Sequence, residues 1–436
     1  MGTRIMWYKL AHVCQRWRNL IFGSASYLGL CLVCTKGTPV ANMLAHSPPF
    51  PIIIDYPDKN SDITAEDEEG IMLALEQRGR VRRIRFVDMP VLKLQKFIMA
   101  MNEDYPMLES LIISPSEDEV TALMFPGTLQ APHLLQLTLI GFVIPIGSRL
   151  LTTAVGIVTL SLSMNDPSTH FQLQWITFMP QLETLTIAFN FPVPNRDVER
   201  HFMRTPITTY VTLPNLRMFI FRGVSAYLEA VVRRITTPRL EKLGVEFFNQ
   251  LTFSVPHLIQ FMNTTENLRF DSSEVMFSGH DVHLRVYREE DKAYVLSISV
   301  FCWHLDWQVS FVAQFFNSRG QISPAVENLS LYHEVHDQSS EEHNEIDRAE
   351  WHKLLMSFNN VKTLRIDGGL VKELSRSLRP DDEDLLLEIL PELQELTYSA
   401  SDDTGDTFTP FIDARQSAGR PVNLVGPSSS SVTPPS

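Results

Sequence analysis

Apolar residues return along the chain in one short rhythm: an apolar position, two variable ones, a second apolar position, one variable, then a third. PMLESLII, PHLLQLTL, PQLETLTI, PNLRMFIF, PRLEKLGV, AVENLSLY, NVKTLRID and PELQELTY carry it, and RVRRIRFV and GIVTLSLS fit as well. The second half of each segment alternates, which is the spacing of a strand with one buried face. Its first apolar positions are Val81, Leu108, Leu134, Ile157, Leu182, Leu216, Leu240, Val326, Val361 and Leu393. Successive ones lie 23 to 35 residues apart, except for a gap of 86 between Leu240 and Val326. Weaker segments at Leu268 and Val295 divide that gap into three more units, for about twelve in all. Between strands, stretches such as SAYLEAVVRRITTP and VKELSRSLRP have the periodicity of amphipathic helices.

L-x-x-L-x-L at such intervals is the strand segment of a leucine-rich repeat. The expected fold is therefore α/β, a leucine-rich-repeat-like solenoid over residues 50–425: a horseshoe with parallel strands on the concave face and helices outside. Intervals of 32 to 35 exceed the usual repeat, and the turn asparagine appears only as Asn165 and Asn190, so the repeats are irregular.

Ahead of this array, Leu10, Val13, Cys14, Trp17 and Ile21 fall at helical spacing, with Gln15, Arg16, Arg18 and Asn19 on the other side. Gly23 and Ser24 end that helix, and Leu28, Leu30, Leu32 and Cys34 then alternate as a strand would. The apolar stripe Leu10, Val13, Trp17, Ile21 needs a cover, and packing on the first repeat as an N-terminal cap is the expected one. Asn19 to Thr35 is uncharged, but it is 17 residues long and holds Asn19, Gly23, Ser24, Ser26 and Gly29, which is too short and too polar for a membrane span.

The V-C-Q-R-W-R core of this helix, followed by a small-residue break and an L-x-L strand, resembles the second half of an F-box. With the FIDARQSAGRPVNLV segment near the C-terminus, it is similar to the F-box and leucine-rich-repeat proteins of mushroom-forming fungi. An F-box opens with a Leu-Pro turn and an apolar helix, and only MGTRIMWYK stands ahead of the match, so residues 1–37 are expected to be an N-terminally truncated F-box. The resemblance implies a substrate-recognition subunit of an SCF-type ubiquitin ligase. A Skp-type adaptor would dock on Leu10, Val13, Trp17 and Ile21, a cullin and a RING partner would deliver ubiquitin, and the repeats would hold a protein substrate. A free-standing repeat scaffold without ligase coupling is the alternative.

Composition narrows the partners. The chain is 44% hydrophobic, enough for a large core, and 37 Lys and Arg against 51 Asp and Glu leave a net charge of −14. That field repels a phosphate backbone, so no nucleic acid is expected. Four cysteines in 436 residues make no disulfide framework and point to a reducing compartment, cytoplasmic or nuclear. The acidic runs SDITAEDEEG, HDQSSEEHNEIDRAE and RPDDEDLLLE read as solvated caps and loops. PSSSSVTPPS at residues 427–436 reads as a disordered tail that begins at Gly426.

Catalytic and metal signals are weak. Cys31 and Cys34 form a lone C-x-x-C, and an offset of three puts their sulfurs on opposite faces of a strand. His333, His336 and His343 lack the i, i+4 spacing that aligns two imidazoles on one helical face. No P-loop, G-x-S-x-G or G-x-G-x-x-G occurs. No enzyme, cofactor or metal is expected. Binding is assigned to residues that flank the second and third apolar positions of each strand, which must face away from the core. Arg83, Arg85, Met218, Ile220 and Tyr332 are the candidates there, because Arg, Met and Tyr are enriched in interface cores.

Overall fold

The computed structural model describes residues 14–23, 30–57, 63–116, 123–164, 173–189, 207–248, 254–290, 292–317, 326–333, 348–379, 388–399 and 408–425. Leu10, Val13, Asn165, Asn190, His336, His343 and the tail from Gly426 lie outside these residues, as do most of the second and third acidic runs, whereas the first, described from Ile63 on, opens the helix Ala65–Glu76. The chain forms two compact units, residues 1–190 and 191–436, and the boundary falls in the long interval between Leu182 and Leu216.

The first unit holds a seven-stranded sheet in the order β1 (Leu32–Cys34), β2 (Ile52–Tyr56), β3 (Val81–Met89), β4 (Ser110–Pro115), β6 (Gln136–Ile140), β8 (Thr159–Met164) and β9 (Thr184–Phe189). Every pair in it is parallel. The first apolar positions Val81, Leu108, Leu134, Ile157 and Leu182 are all 0 or 1% exposed, and the second and third positions of the same segments are as deeply buried. Helices cover this buried side: Phe97, on the helix Val91–Ala100, lies 5.5 Å from Phe86 of β3. Between β4 and β6 the chain carries instead the short strand β5 (Leu123–Met124), which pairs with β7 (Phe142–Val143), so strand and helix do not alternate in every repeat.

A proline turn launches six of the ten repeat strands. The amides of Leu108, Leu134, Leu182, Leu216, Leu240 and Leu393 donate to the carbonyls of Tyr105, Ala131, Met179, Leu213, Thr237 and Leu390, three residues earlier. A proline occupies the second place of each turn, where its fixed φ suits the bend and its missing N–H costs nothing.

In the second unit the sheet order is β11 (Met218–Gly223), β13 (Lys242–Phe247), β16 (Tyr294–Phe301), β15 (Asp281–Tyr287), β14 (Ser272–Phe277), β17 (Asn328–His333), β18 (Thr363–Gly368), β19 (Glu395–Ser399) and β20 (Asn423–Val425). The gap read as three parallel repeats holds three strands, but they form an antiparallel meander, β14 to β15 to β16. The meander is inserted in reverse: β16 pairs with β13 and β14 with β17, both in parallel. The expected segments at Leu268 and Val295 are displaced: Leu268 sits in a 3-10 turn before β14, and Ile298, the second apolar position of the Val295 segment, is level with Val245 rather than with Leu243. Apart from the two pairs that β15 makes, every pair in this sheet is parallel, compatible with a solenoid-like α/β fold.

Two buried charges tie repeats together. Glu229, on the helix Ser225–Val232, accepts hydrogen bonds from the amides of His257 and Leu258 at 2.8 and 2.7 Å, and so caps the helix Pro256–Thr264, whose own N-cap residue Val255 offers no side-chain bond. Arg415, 0% exposed on the helix Thr409–Ser417, donates to the carbonyls of Ile389 and Pro391 and lies over the Phe411 ring.

The N-terminal helix spans Gln15–Gly23, and its Trp17 is 51% and Leu20 58% exposed. Trp17 is thus half exposed, where the expected capping role requires a buried indole. Cys34 is buried on β1 and Cys31, just ahead of the strand, is half-buried. No helix among the described residues is long and apolar enough to cross a membrane.

Candidate functional site

In both units the sheet face opposite the buried side chains is where residues flanking the core positions emerge. In the first unit this face carries Arg83 and Arg85 on β3. Arg83 is exposed and stands between Ile53 of β2 and Ser110 of β4. Arg85 pairs with Asp55 at 3.7 Å. Beyond them the face is small and uncharged, with Thr138, Ser161 and Thr186 in register across β6, β8 and β9.

The second unit places Met218 and Ile220 on β11 and Tyr332 on β17. Five strand spacings separate β11 from β17, about 24 Å at the usual spacing, so these candidates do not form one site. Ile220 is 38% exposed and stands level with Gly244 and Ser297, two small residues that leave the face low beside it.

Tyr332 belongs to a denser group that the meander brings in. Met276 and Asp367 flank it in register, and the Arg365 guanidinium lies 5.8 Å from its ring centre. Arg365 donates from Nε to Asp367 at 2.8 Å, and the Ser399 hydroxyl donates to the same carboxylate. Two strands away the arrangement repeats: Arg285 of β15 pairs with Glu274 of β14 at 3.4 Å and lies 5.3 Å from the ring centre of Tyr294, which meets Tyr287 edge-on at 5.9 Å. His283 contacts Asp281 at 3.0 Å in the neighbouring register position. Glu274, Met276, His283, Arg285, Tyr287 and Tyr294 were missed by the sequence reading, because their strands do not follow the repeat. The alternation D-V-H-L-R-V-Y, with three buried residues between four outward ones, is the signal that marks β15.

Burial first, then Glu289 and Glu274, push the Tyr287 phenol up to about 12. Tyr332 is raised as well, by burial foremost, while its bond to Ser330 and the charge of Arg365 act the other way. Both phenols stay neutral and able to donate. Burial pushes the Cys34 thiol up to about 11 and raises Cys302, which keeps both protonated and poorly nucleophilic. Among the described residues, no group of three or more His, Cys, Asp or Glu is placed to hold a metal ion.

No family model matches the chain, and no curated protein matches its sequence. The geometry of the sheet face and of the N-terminal helix therefore carries the functional argument.

Proposed function

We propose that the chain is a substrate-recognition subunit of an SCF-type ubiquitin ligase, built as a leucine-rich-repeat horseshoe. The helix Gln15–Gly23 docks on a Skp-type adaptor, a cullin joins through that adaptor, and the uncovered sheet face holds a protein substrate. The chain itself makes and breaks no bond in this reading. The observation that carries it is the exposure of Trp17 and Leu20 on the helix that holds Gln15, Arg16, Trp17 and Arg18 of the V-C-Q-R-W-R core: an indole committed to capping the array would be covered, and this one is available to a partner. Trp is enriched among the residues that anchor protein interfaces.

A pull-down of the full chain with a purified Skp-type adaptor tests the reading. Binding by the native chain, lost in Trp17→Ala with an unchanged melting temperature, is the expected result. Equal capture of both proteins, or of neither, removes the ligase coupling. The remaining reading is then a stand-alone repeat scaffold, which the Arg- and Tyr-bearing sheet face supports by itself.

A further inference from the structure

The Arg285 and Arg365 groups share one register row. Arg285 stands opposite Glu274, Glu274 opposite Ser330, and Ser330 opposite Arg365, on the successive strands β15, β14, β17 and β18. Three strand spacings put the two arginines about 14 Å apart, a separation that four residues of an extended chain cover at about 3.4 Å each. Both are built alike, with a guanidinium laid toward a tyrosine ring and tethered by one carboxylate. In both pairs the cation is the end that meets solvent: the Arg285 and Arg365 side chains are 37% and 50% exposed, their partners Glu274 and Asp367 only 22% and 15%. The ion pair engages one nitrogen of each guanidinium, and a planar fork already oriented by a carboxylate and a ring loses little freedom when it binds a second oxyanion. Met276 and Tyr332 lie in the adjacent register row, between His283 and Asp367, and offer an apolar and aromatic floor between the two cations.

We propose that this row binds an extended acidic protein segment that crosses the strands. Two Asp or Glu carboxylates four residues apart reach Arg285 and Arg365, and an aromatic or aliphatic side chain between them rests on Met276 and Tyr332. The proposal rests on the reading of the sheet face as a protein-binding surface and gives its ligand a chemistry. The net charge of −14 does not draw such a segment in from a distance, so recognition depends on the two short-range forks and on their spacing.

The test is fluorescence anisotropy on the full chain. The probe is a labelled Ser/Gly peptide of about a dozen residues with two Glu at i and i+4 and a Tyr midway. Parallel probes carry Lys for Glu, or the two Glu at i and i+2. The i, i+4 Glu probe should bind, and the other two should bind at least about tenfold more weakly, the scale expected for loss of a close charge contact. Arg285→Gln and Arg365→Gln, which remove the charge but leave a polar, hydrogen-bonding side chain on the sheet face, should each weaken the Glu probe. The double variant Arg285→Glu, Arg365→Glu should transfer preference to the Lys probe. Equal affinity for the Glu and Lys probes, or a Glu probe indifferent to both Gln variants at unchanged melting temperature, overturns the proposal. Adaptor capture through Trp17 is read separately in the same proteins, so failure of the peptide with capture intact sinks this inference alone.

Discussion

Asp67 shows how much one buried carboxylate can hold together. It accepts from the Gly37 amide at 2.7 Å, from the Thr64 hydroxyl at 2.8 Å and from the Thr64 amide at 3.2 Å, and its own amide donates to the Thr64 hydroxyl, so the two backbone bonds close a capping box at the start of the helix Ala65–Glu76. Burial by itself would raise its pKa, but the Gly37 bond foremost, then Thr64 and the charge of Lys36, hold the carboxyl below its usual value. A folded-state value below the unfolded one means that the contribution is fully present above about pH 4 and is lost as pH falls through the folded value. Asp67→Asn should cost about 1 to 3 kcal/mol at neutral pH and flatten the acid side of the stability curve, read by urea melts from pH 7 to pH 3. An acid limb unchanged by the substitution would remove Asp67 from it. Arg415 is the second such residue. Its guanidinium satisfies two carbonyls that a shorter side chain cannot reach together, so Arg415→Ala should lower stability by about 2 to 3 kcal/mol, and Arg415→Lys should recover only part of that loss. Trp17 belongs to the opposite class. Because half of it is exposed, Trp17→Ala should change stability by no more than about 0.5 kcal/mol, not the several kcal/mol of a buried ring.

Among elements, the contrast between repeat strands and meander explains what could be read from the sequence. Ten strand segments were legible, since each places three apolar residues at fixed spacing and the structure buries all three. The proline ahead of six of them was visible too, though its turn closes only in the hydrogen bonds. Antiparallel β15 alternates just as a parallel strand does, and periodicity carries no direction. In β14 the signal is weaker still, because Ser273 stands where Leu329 of β17 and Leu364 of β18 face the core. The candidate site inherits this blind spot: Tyr332 lies on a repeat strand and was found, whereas Arg285 lies on the meander and was not. Ser273 also supports a direct test. It is 1% exposed, and its hydroxyl has no hydrogen-bond partner among the described residues. Ser273→Ala removes an unsatisfied polar group at small cost in volume and should raise stability by up to about 1 kcal/mol by thermal melt. A loss of stability on that substitution would mean that the hydroxyl finds a partner the geometry does not reveal.

At the scale of the whole molecule, stability in a stack of repeats is carried between nearest neighbours, so damage at one end should fade with distance along the stack. The second unit allows this to be measured, because its last layer is built from identifiable parts. Phe408, Phe411 and Val422 are buried, Tyr398 of β19 meets Phe408 edge-on at 5.4 Å, Arg415 ties the terminal helix to Ile389 and Pro391, and β20 completes the sheet beside β19. Removing residues 408–436 uncovers Tyr398 and frees the carbonyls that Arg415 engages. Native-state hydrogen exchange should then show the largest loss of protection in β19, a smaller loss in β18 and β17, and little change in β11 and β13. The meander sharpens the expectation. Each of its crossovers spans the other's strands, β13 to β14 over β15 and β16, and β16 to β17 over β15 and β14, so these strands are bound to both flanks at once. Protection should fall gradually from β19 to β17 and then level off across β14, β15 and β16. A uniform fall over all eight remaining strands would instead make the second unit a single cooperative block, in which the order of its repeats has no energetic meaning.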